Sequence, residues 1–196
     1  METTTSPLVL ASGSRYRKEL LERLGLPFAV ASPQVDERAL PDEPPAALAL
    51  RLAEAKARAV AAAHSESLII GSDQVAECAG RAIGKPRDRA HALDLLREMR
   101  GRTIVFHTAL ALLNAASGRL HTALVDVVST FRTLDDMALQ SYLDRDQPLD
   151  CAGAVRVETL GIALFTRVAS DDPTALIGLP LIKLTDMLQA EGVSIL

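Results

Sequence analysis

The 196-residue sequence predicts an α/β protein built on a sheet of mixed strand direction. Three observations lead there. Strand-like and helix-like segments are interspersed without the strict alternation of a doubly wound fold. Two long strand-like runs, Thr103 to Leu113 and Arg119 to Phe131, are joined by Asn114–Gly118, whose glycine frees the turn, so an antiparallel hairpin joins the sheet. The chain opens on a strand, loop and helix, the start of an α/β unit.

The elements follow in order. Leu8 to Ala11 is a short apolar strand ending in the polar loop Ser12-Gly13-Ser14. Arg17 to Leu24 carries Leu20, Leu21 and Leu24 at helical spacing, with Gly25 closing the helix. Phe28 to Val35 alternates weakly as a second strand and leads through Asp36-Glu37 to a proline-rich linker. A helix is expected from Pro44 to Ala63, rich in alanine and started by Asp42 or Glu43, with Lys56 on it. Ser67 to Ile70 is a compact strand whose end, Gly71-Ser72-Asp73-Gln74, sets a carboxylate at the strand mouth. Val75 to Ile83 turns as a hairpin around Gly80, and a helix runs from Asp88 to Gly101 with Leu93, Leu96 and Met99 on one face. After the long hairpin, Asp135 caps a helix to about Arg145. A strand from Gly161 to Val168 and a helix after Gly178-Leu179-Pro180 complete the reading.

Composition narrows the function. A net charge of −4 without a dense basic run argues against a nucleic-acid polymer as partner. Apolar residues make up 48% and charged residues 23%, which suits a globular enzyme and not a disordered chain. Cys78 and Cys151 lie far apart and outside any paired-cysteine pattern, so neither a disulfide framework nor a zinc ribbon is expected. Met1 to Pro7 lacks the basic flank and apolar stretch of a signal peptide, and no run is long enough to span a membrane. A reducing, cytoplasmic setting is the expectation, with residues 1–196 forming one domain.

Familiar catalytic motifs fail. Gly84-Lys85 would need glycine at Ala79 and a hydroxyl residue at Pro86 to be a Walker loop. There is no nucleophile elbow or dinucleotide fingerprint, and His64, His91, His107 and His121 have no metal-ligand spacing, so they are read as surface or structural. What remains is polar residues at element ends. Ser12, Ser14, Arg15, Arg17 and Lys18 surround a strand-to-helix loop, where backbone N–H groups favour an anion; the rival reading is a helix cap with a solvated basic first turn. Asp73 alone reads as a turn aspartate, and Glu37, Lys56 and Lys85 singly as solvated charge. Together they would supply a metal ligand, two phosphate cations and a base, the parts that water attack on a polyphosphate requires.

Seven blocks occur in order: Leu10-Ala11-Ser12-Gly13-Ser14 with its basic residues and Leu20-Leu21, Val35-Asp36-Glu37, Ala55-Lys56-Ala57, Ile70-Gly71-Ser72-Asp73-Gln74, Gly84-Lys85-Pro86, Cys151-Ala152-Gly153 and Gly178-Leu179-Pro180-Leu181, within a match spanning about Leu8 to Gly192. In these the sequence resembles the Maf family of nucleoside triphosphate pyrophosphatases. The resemblance implies an α/β fold related to inosine triphosphate pyrophosphatases, with an elongated mixed sheet, two lobes and a central cleft. It implies hydrolysis of a nucleoside triphosphate to monophosphate and diphosphate with a divalent cation, magnesium or manganese. Asp73, Lys56 and Lys85 would be catalytic, Ser12, Ser14, Arg17 and Lys18 would bind the phosphates, and Glu37 with Asp73 would hold the metal. Lys18 stands where the family usually has a second arginine, which removes a bidentate phosphate grip there.

Ser72-Asp73-Gln74, Cys151-Ala152-Gly153, Glu158 and Tyr16 resemble the branch of that family acting on 7-methyl-GTP, although Thr159-Leu160 replaces the glycine-aromatic pair expected there. Tyr16, Gln74 and Glu158 are then expected to share one base pocket. The alternatives are a pyrophosphatase for dTTP, UTP or another modified nucleotide, and a nucleotide-sensing regulator of cell division. A homodimer is implied by the resemblance alone.

Overall fold

In the computed structural model, which describes residues 6–196, the chain folds around one mixed sheet. Met1 to Thr5, part of the opening segment read for a signal peptide, lie outside the described residues. Among those residues no helix is long and apolar enough to cross a membrane.

The strands are β1 (Leu8–Ala11), β2 (Phe28–Ala31), β3 (Leu68–Cys78), β4 (Arg81–Ile83), β5 (Thr103–Asn114), β6 (Leu120–Phe131) and β7 (Phe165–Ala169). The helices are α1 (Arg15–Glu22), α2 (Pro45–Ala61), α3 (Arg89–Met99), α4 (Asp136–Asp146) and α5 (Leu181–Ala190). The sheet order is β2-β1-β3-β5-β6-β7, with β4 hairpinned onto β3. Pairing is parallel across β2-β1-β3 and antiparallel from β3 through β7, the mixed direction that the sequence predicts.

Local chemistry explains most boundaries. Asp88 and Asp135 cap α3 and α4 by accepting the N–H of His91 and Ala138. The β3-β4 turn places Ala79 and Gly80 at φ of 51° and 79°, the two left-handed residues of a tight hairpin.

Strand β2 stops at Ala31, short of the expected Val35, and four further departures are instructive. Helix α1 begins at Arg15, two residues early, because Ser14 accepts the N–H of Arg17 and so caps it. Neither Asp42 nor Glu43 caps α2; Pro44 holds that position, while Glu43 accepts from Arg51 at 2.6 Å and from the Leu40 N–H at 3.0 Å. The segment Leu160–Leu164 winds as a 3-10 turn, so β7 starts only at Phe165. Its Gly161 lies so close to Arg156 that an added Cβ would sit 2.3 Å from the Arg156 carbonyl oxygen.

The fourth correction bears on function. Strand β3 does not end at Ile70 but continues to Cys78, so Asp73 sits in the strand interior opposite Ala109 and not at a mouth. The run of polar residues tolerates this because each is satisfied. Ser72 Oγ donates between the carbonyls of Ala109 and Gly178, at 2.8 and 2.9 Å. The Gln74 amide nitrogen faces Thr108 Oγ1 and the carbonyls of Ala175 and Leu176. Alternation then points Gly71, Asp73 and Val75 toward α2. Gly71 permits that helix to approach, since a Cβ there would lie 2.1 Å from the Ala53 carbonyl oxygen.

The interior falls into three clusters. Val9, Ile69 and Ala109 pack under Leu48, Leu52 and Ala53 of α2. Leu10, Ile70 and Leu112 pack on the opposite face against Leu20 and Leu21 of α1 and Leu184 and Leu188 of α5. The far end is filled by Leu96 and Met99 of α3, Leu139 of α4, Phe106, Phe131 and Phe165.

Candidate active site

Two adjoining cavities open where these clusters meet. One, of about 410 Å³, is bordered by Leu52, Lys56, Asp73, Phe106, Val155 and Glu158, among others. The other, of about 490 Å³, is bordered by the Ser12–Arg17 loop, Glu37, Lys56, Lys85 and Asp150. Ser14, Tyr16, Arg17, Glu37, Lys56 and Lys85 border both.

The centre is an ammonium held between two carboxylates. Lys56 projects from α2, its Nζ 2.6 Å from Asp73 Oδ1 on β3 and 2.7 Å from Glu37 Oε1. Lys56 and Asp73 are 7% and 8% exposed, whereas the Glu37 side chain is 54% exposed. Burial tends to raise the Glu37 pKa, but the hydrogen bond and charge of Lys56, followed by Lys85 and Arg17, outweigh it and hold the carboxyl below its ordinary value. Arg51 sets the loop that delivers Glu37, binding Glu43 through two nitrogens and the Arg38 carbonyl at 3.0 Å.

The Ser12–Arg17 loop forms a donor-rich wall. Ser12 Oγ accepts from the Ser14 N–H at 3.1 Å and from Arg17 Nη1 at 3.4 Å. Arg17 Nε donates to the Gly178 carbonyl at 2.8 Å. Desolvation lowers the Arg17 pKa, opposed by the charges of Asp73 and Glu37, and the guanidinium remains a cation beside them. Lys85 borders both cavities and has no ionic partner among the described residues. Its loop is fixed by the Gly153 N–H, which donates to the Gly84 carbonyl at 3.0 Å.

Ser12, Ser14, Tyr16, Arg17, Glu37, Lys56, Asp73, Gln74, Lys85 and Glu158 are thus brought to the two cavities. Lys18 is not. It borders neither cavity and points outward toward Glu22 one turn along α1, 3.7 Å away and 54% exposed, because Arg17 takes the inward direction at this point of the helix. Gln74 borders the first cavity with its amide N–H groups already committed, which leaves its carbonyl oxygen free to accept.

Glu158 stands at the rim, and burial of its carboxylate raises its pKa. Arg156, near it, binds Asp150 at 2.6 Å and the Asp146 carbonyl at 2.6 Å, closing the loop that carries Cys151. Burial and then the charge of Asp150 push the Cys151 thiol up to about 11. Arg51, Ser72, Asp150 and Arg156 escape sequence reasoning, since their partners lie 6 to 106 residues away or on the main chain. Arg156 and Asp150 carry only a weak signal, flanking Cys151-Ala152-Gly153.

Glu37 and Asp73 turn an oxygen each to one ammonium, so they face a common point. Hard oxygen donors of this kind suit magnesium or manganese, which take one or two carboxylates and fill the remaining positions with water and phosphate oxygens. No group of three or more His, Cys, Asp or Glu is placed to cage a metal among the described residues.

Fold and site together define a mixed α/β protein with a cationic cleft floored by a carboxylate and walled by a hydroxyl-bearing loop at a helix start. The family model described as "Maf-like protein" matches residues 7–191, and the chain belongs to the Maf family. It is 54% identical over 195 residues to a protein of Thiobacillus denitrificans named 7-methyl-GTP pyrophosphatase, covering 99% of this chain and 97% of that one. A protein of the same name from Cupriavidus metallidurans is 53% identical, covering 98% and 97%, and one from Ralstonia nicotianae is 54% identical, covering 93% and 94%.

Proposed function

We propose that this protein hydrolyses 7-methyl-GTP to 7-methyl-GMP and diphosphate, removing a modified nucleotide from the cytoplasmic pool. The observation that carries the reading is the Glu37–Lys56–Asp73 bridge lying between a cavity lined by cations and a cavity bordered by an aromatic ring and a carboxylate. Near full-length similarity to relatives bearing that enzyme name supports it. The polyphosphate lies along the Ser12–Arg17 loop and Lys85, and the base enters the cavity of Tyr16, Gln74 and Glu158. The two cavities serve one catalytic domain, because Lys56 and Glu37 border both.

In this reading Asp73 takes the proton of the attacking water. Lys56 holds Oδ1, and Oδ2 has no partner within the described chain. The water oxygen bonds to phosphorus, the phosphoanhydride P–O bond breaks, and diphosphate leaves with the bridging oxygen. Lys85, Arg17 and the Ser12 hydroxyl face the charge that grows on that leaving group. Glu37 and Asp73 would hold a divalent cation, which supplies charge neutralisation on the phosphates when bound.

For the base, methylation at N7 puts positive charge on the ring. Stacking on Tyr16 then gains about 0.5–2 kcal/mol over plain guanine, and Glu158 favours the same cation. Glu158 also accepts from the guanine pairing edge, where adenine presents an acceptor instead. In this reading the protein acts in the cytoplasm as a homodimer, an assembly that sedimentation measures.

Diphosphate release from 7-methyl-GTP, GTP, dTTP, UTP and ATP tests the reading. The methylated purine is the expected best substrate; preference for dTTP or UTP overturns the base assignment and leaves the chemistry. Asp73→Asn is expected to lower turnover by about 100-fold or more with binding retained. Normal turnover in that variant removes Asp73 from the mechanism.

A further inference from the structure

Arg15 is a charge in the second cavity to which the catalytic reading gives no role of its own. Lys56 is bound to Glu37 and Asp73, and Asp150 to Arg156 at 2.6 Å, so these charges offset one another. Arg17 is committed to the Gly178 carbonyl and Ser12. Arg15 and Lys85 border the same cavity with no carboxylate in ion-pair range among the described residues. Arg15 is nevertheless restrained. Its Cζ lies 4.7 Å from the centre of the Tyr16 ring, and its Nη2 donates to Tyr16 Oη at 2.7 Å.

We infer that Arg15, steadied by Tyr16, binds the phosphate chain of the substrate and supplies the planar cationic donor that Lys18 does not. The inference rests on the reading of this cavity as the phosphate site. The cavity is bordered by four cations, Arg15, Arg17, Lys56 and Lys85, against the carboxylates Glu37 and Asp150, so Arg15 provides half of its net charge of +2. Arg15 is also the first residue of α1, beside the backbone N–H groups that favour an anion. A guanidinium presents a fork of N–H donors that matches two phosphate oxygens, which an ammonium lacks. A solvent-exposed arginine ordinarily loses much rotamer freedom on binding; contact with Tyr16 restrains the side chain beforehand and leaves most of its N–H groups unbonded. Tyr16 borders both cavities, so one side chain serves the base end and the phosphate end.

The test compares a ligand that is all phosphate with one that has none. Calorimetry on the full chain measures inorganic tripolyphosphate and 7-methylguanosine binding to the parent, Arg15→Ala, Arg15→Lys and Tyr16→Phe, with circular dichroism confirming the fold. Arg15→Ala is expected to weaken tripolyphosphate by about three- to tenfold, to flatten its salt dependence, and to leave the nucleoside within about twofold. Arg15→Lys recovers only part of the loss. Tyr16→Phe, which keeps the ring and removes the hydroxyl, shows a smaller loss on tripolyphosphate. Unchanged tripolyphosphate affinity in Arg15→Ala overturns the inference, as does an equal loss on both ligands, which would make Arg15 a support for Tyr16. Unchanged affinity in Tyr16→Phe removes the hydroxyl's part. Because tripolyphosphate carries no base, a parent that prefers dTTP would defeat the 7-methyl-GTP reading and leave this result standing.

Discussion

Replacing Lys56 by Met removes the ammonium while keeping an unbranched stem of similar reach on α2. The Lys56–Asp73 pair is short, 2.6 Å, and both partners are more than nine-tenths covered. Taking one partner from such a pair costs about 3–5 kcal/mol because the other charge stays buried and unpaired. The Glu37 contact contributes far less, about 0–1 kcal/mol, since that side chain is half exposed and turns to water. Methionine fills the space of the stem, so the cavity contribution is small. The expected loss is therefore about 3–4 kcal/mol, seen as a fall of about 1–2 M in the urea midpoint. Adding Asp73→Asn removes the stranded charge, so the double variant is expected to regain at least about 2 kcal/mol over Lys56→Met while its turnover stays lost. Titration of Glu37 by carboxyl chemical shift gives a second readout. Its depressed pKa means that stability from this contact is present above the unfolded value and lost as pH falls through the folded one. In Lys56→Met the Glu37 titration moves back up toward the ordinary range. A Lys56→Met protein as stable as the parent, or a double variant showing simple additivity, refutes the bridged-carboxylate account.

Gly71→Ala is expected to destabilise by at least about 1–3 kcal/mol in urea melts, since its Cβ meets main-chain atoms of α2 that have no room to yield. Glu158 has a raised pKa, so its carboxylate is lost at a higher pH than an ordinary glutamate; selectivity for 7-methyl-GTP over GTP should fall on acidification, and Glu158→Gln should remove that pH dependence from competition assays. Cys151, with its thiol pushed up to about 11, should alkylate slowly at pH 7.5, and iodoacetamide labelling followed by mass spectrometry reads the rate. Chelation with excess EDTA should abolish hydrolysis and magnesium restore it; full activity with no metal retained contradicts the role given to Glu37 and Asp73.

The elements legible in the sequence are those whose signals are local. Asp88 and Asp135 act as caps within three residues, and the turns at Gly80 and Gly118 need only backbone freedom, so the boundaries nearby agree with expectation. Strand β3 is legible only to Ile70. Beyond it Ser72 and Gln74 read as a turn, because the groups that satisfy them belong to residues 34 to 106 positions later. The site shows the same division. Residue types at Ser12, Glu37, Lys56, Asp73 and Lys85 suggest phosphate chemistry, yet only folding reveals that Lys56 faces both carboxylates. Lys18 and Arg17 are neighbours of equal charge, and the helical turn that sends one inward and the other to Glu22 has no mark in composition.

The Gly178 carbonyl oxygen accepts from Arg17 Nε, 161 positions earlier, and from Ser72 Oγ, 106 positions earlier. Segments far apart along the chain are thereby joined at the cleft. During synthesis, β1, α1 and β3 emerge long before their acceptor does, and until residues 174–181 follow, Arg17 keeps only its contact with Ser12 and Ser72 lacks one of its carbonyls. A nascent or prematurely stopped chain can hold much of the sheet and still present a disorganised cleft. Such fragments also lack Leu184 and Leu188 of α5, which cover the Leu10, Ile70 and Leu112 face, so losing the last few dozen residues is expected to uncover that face and loosen the cleft together.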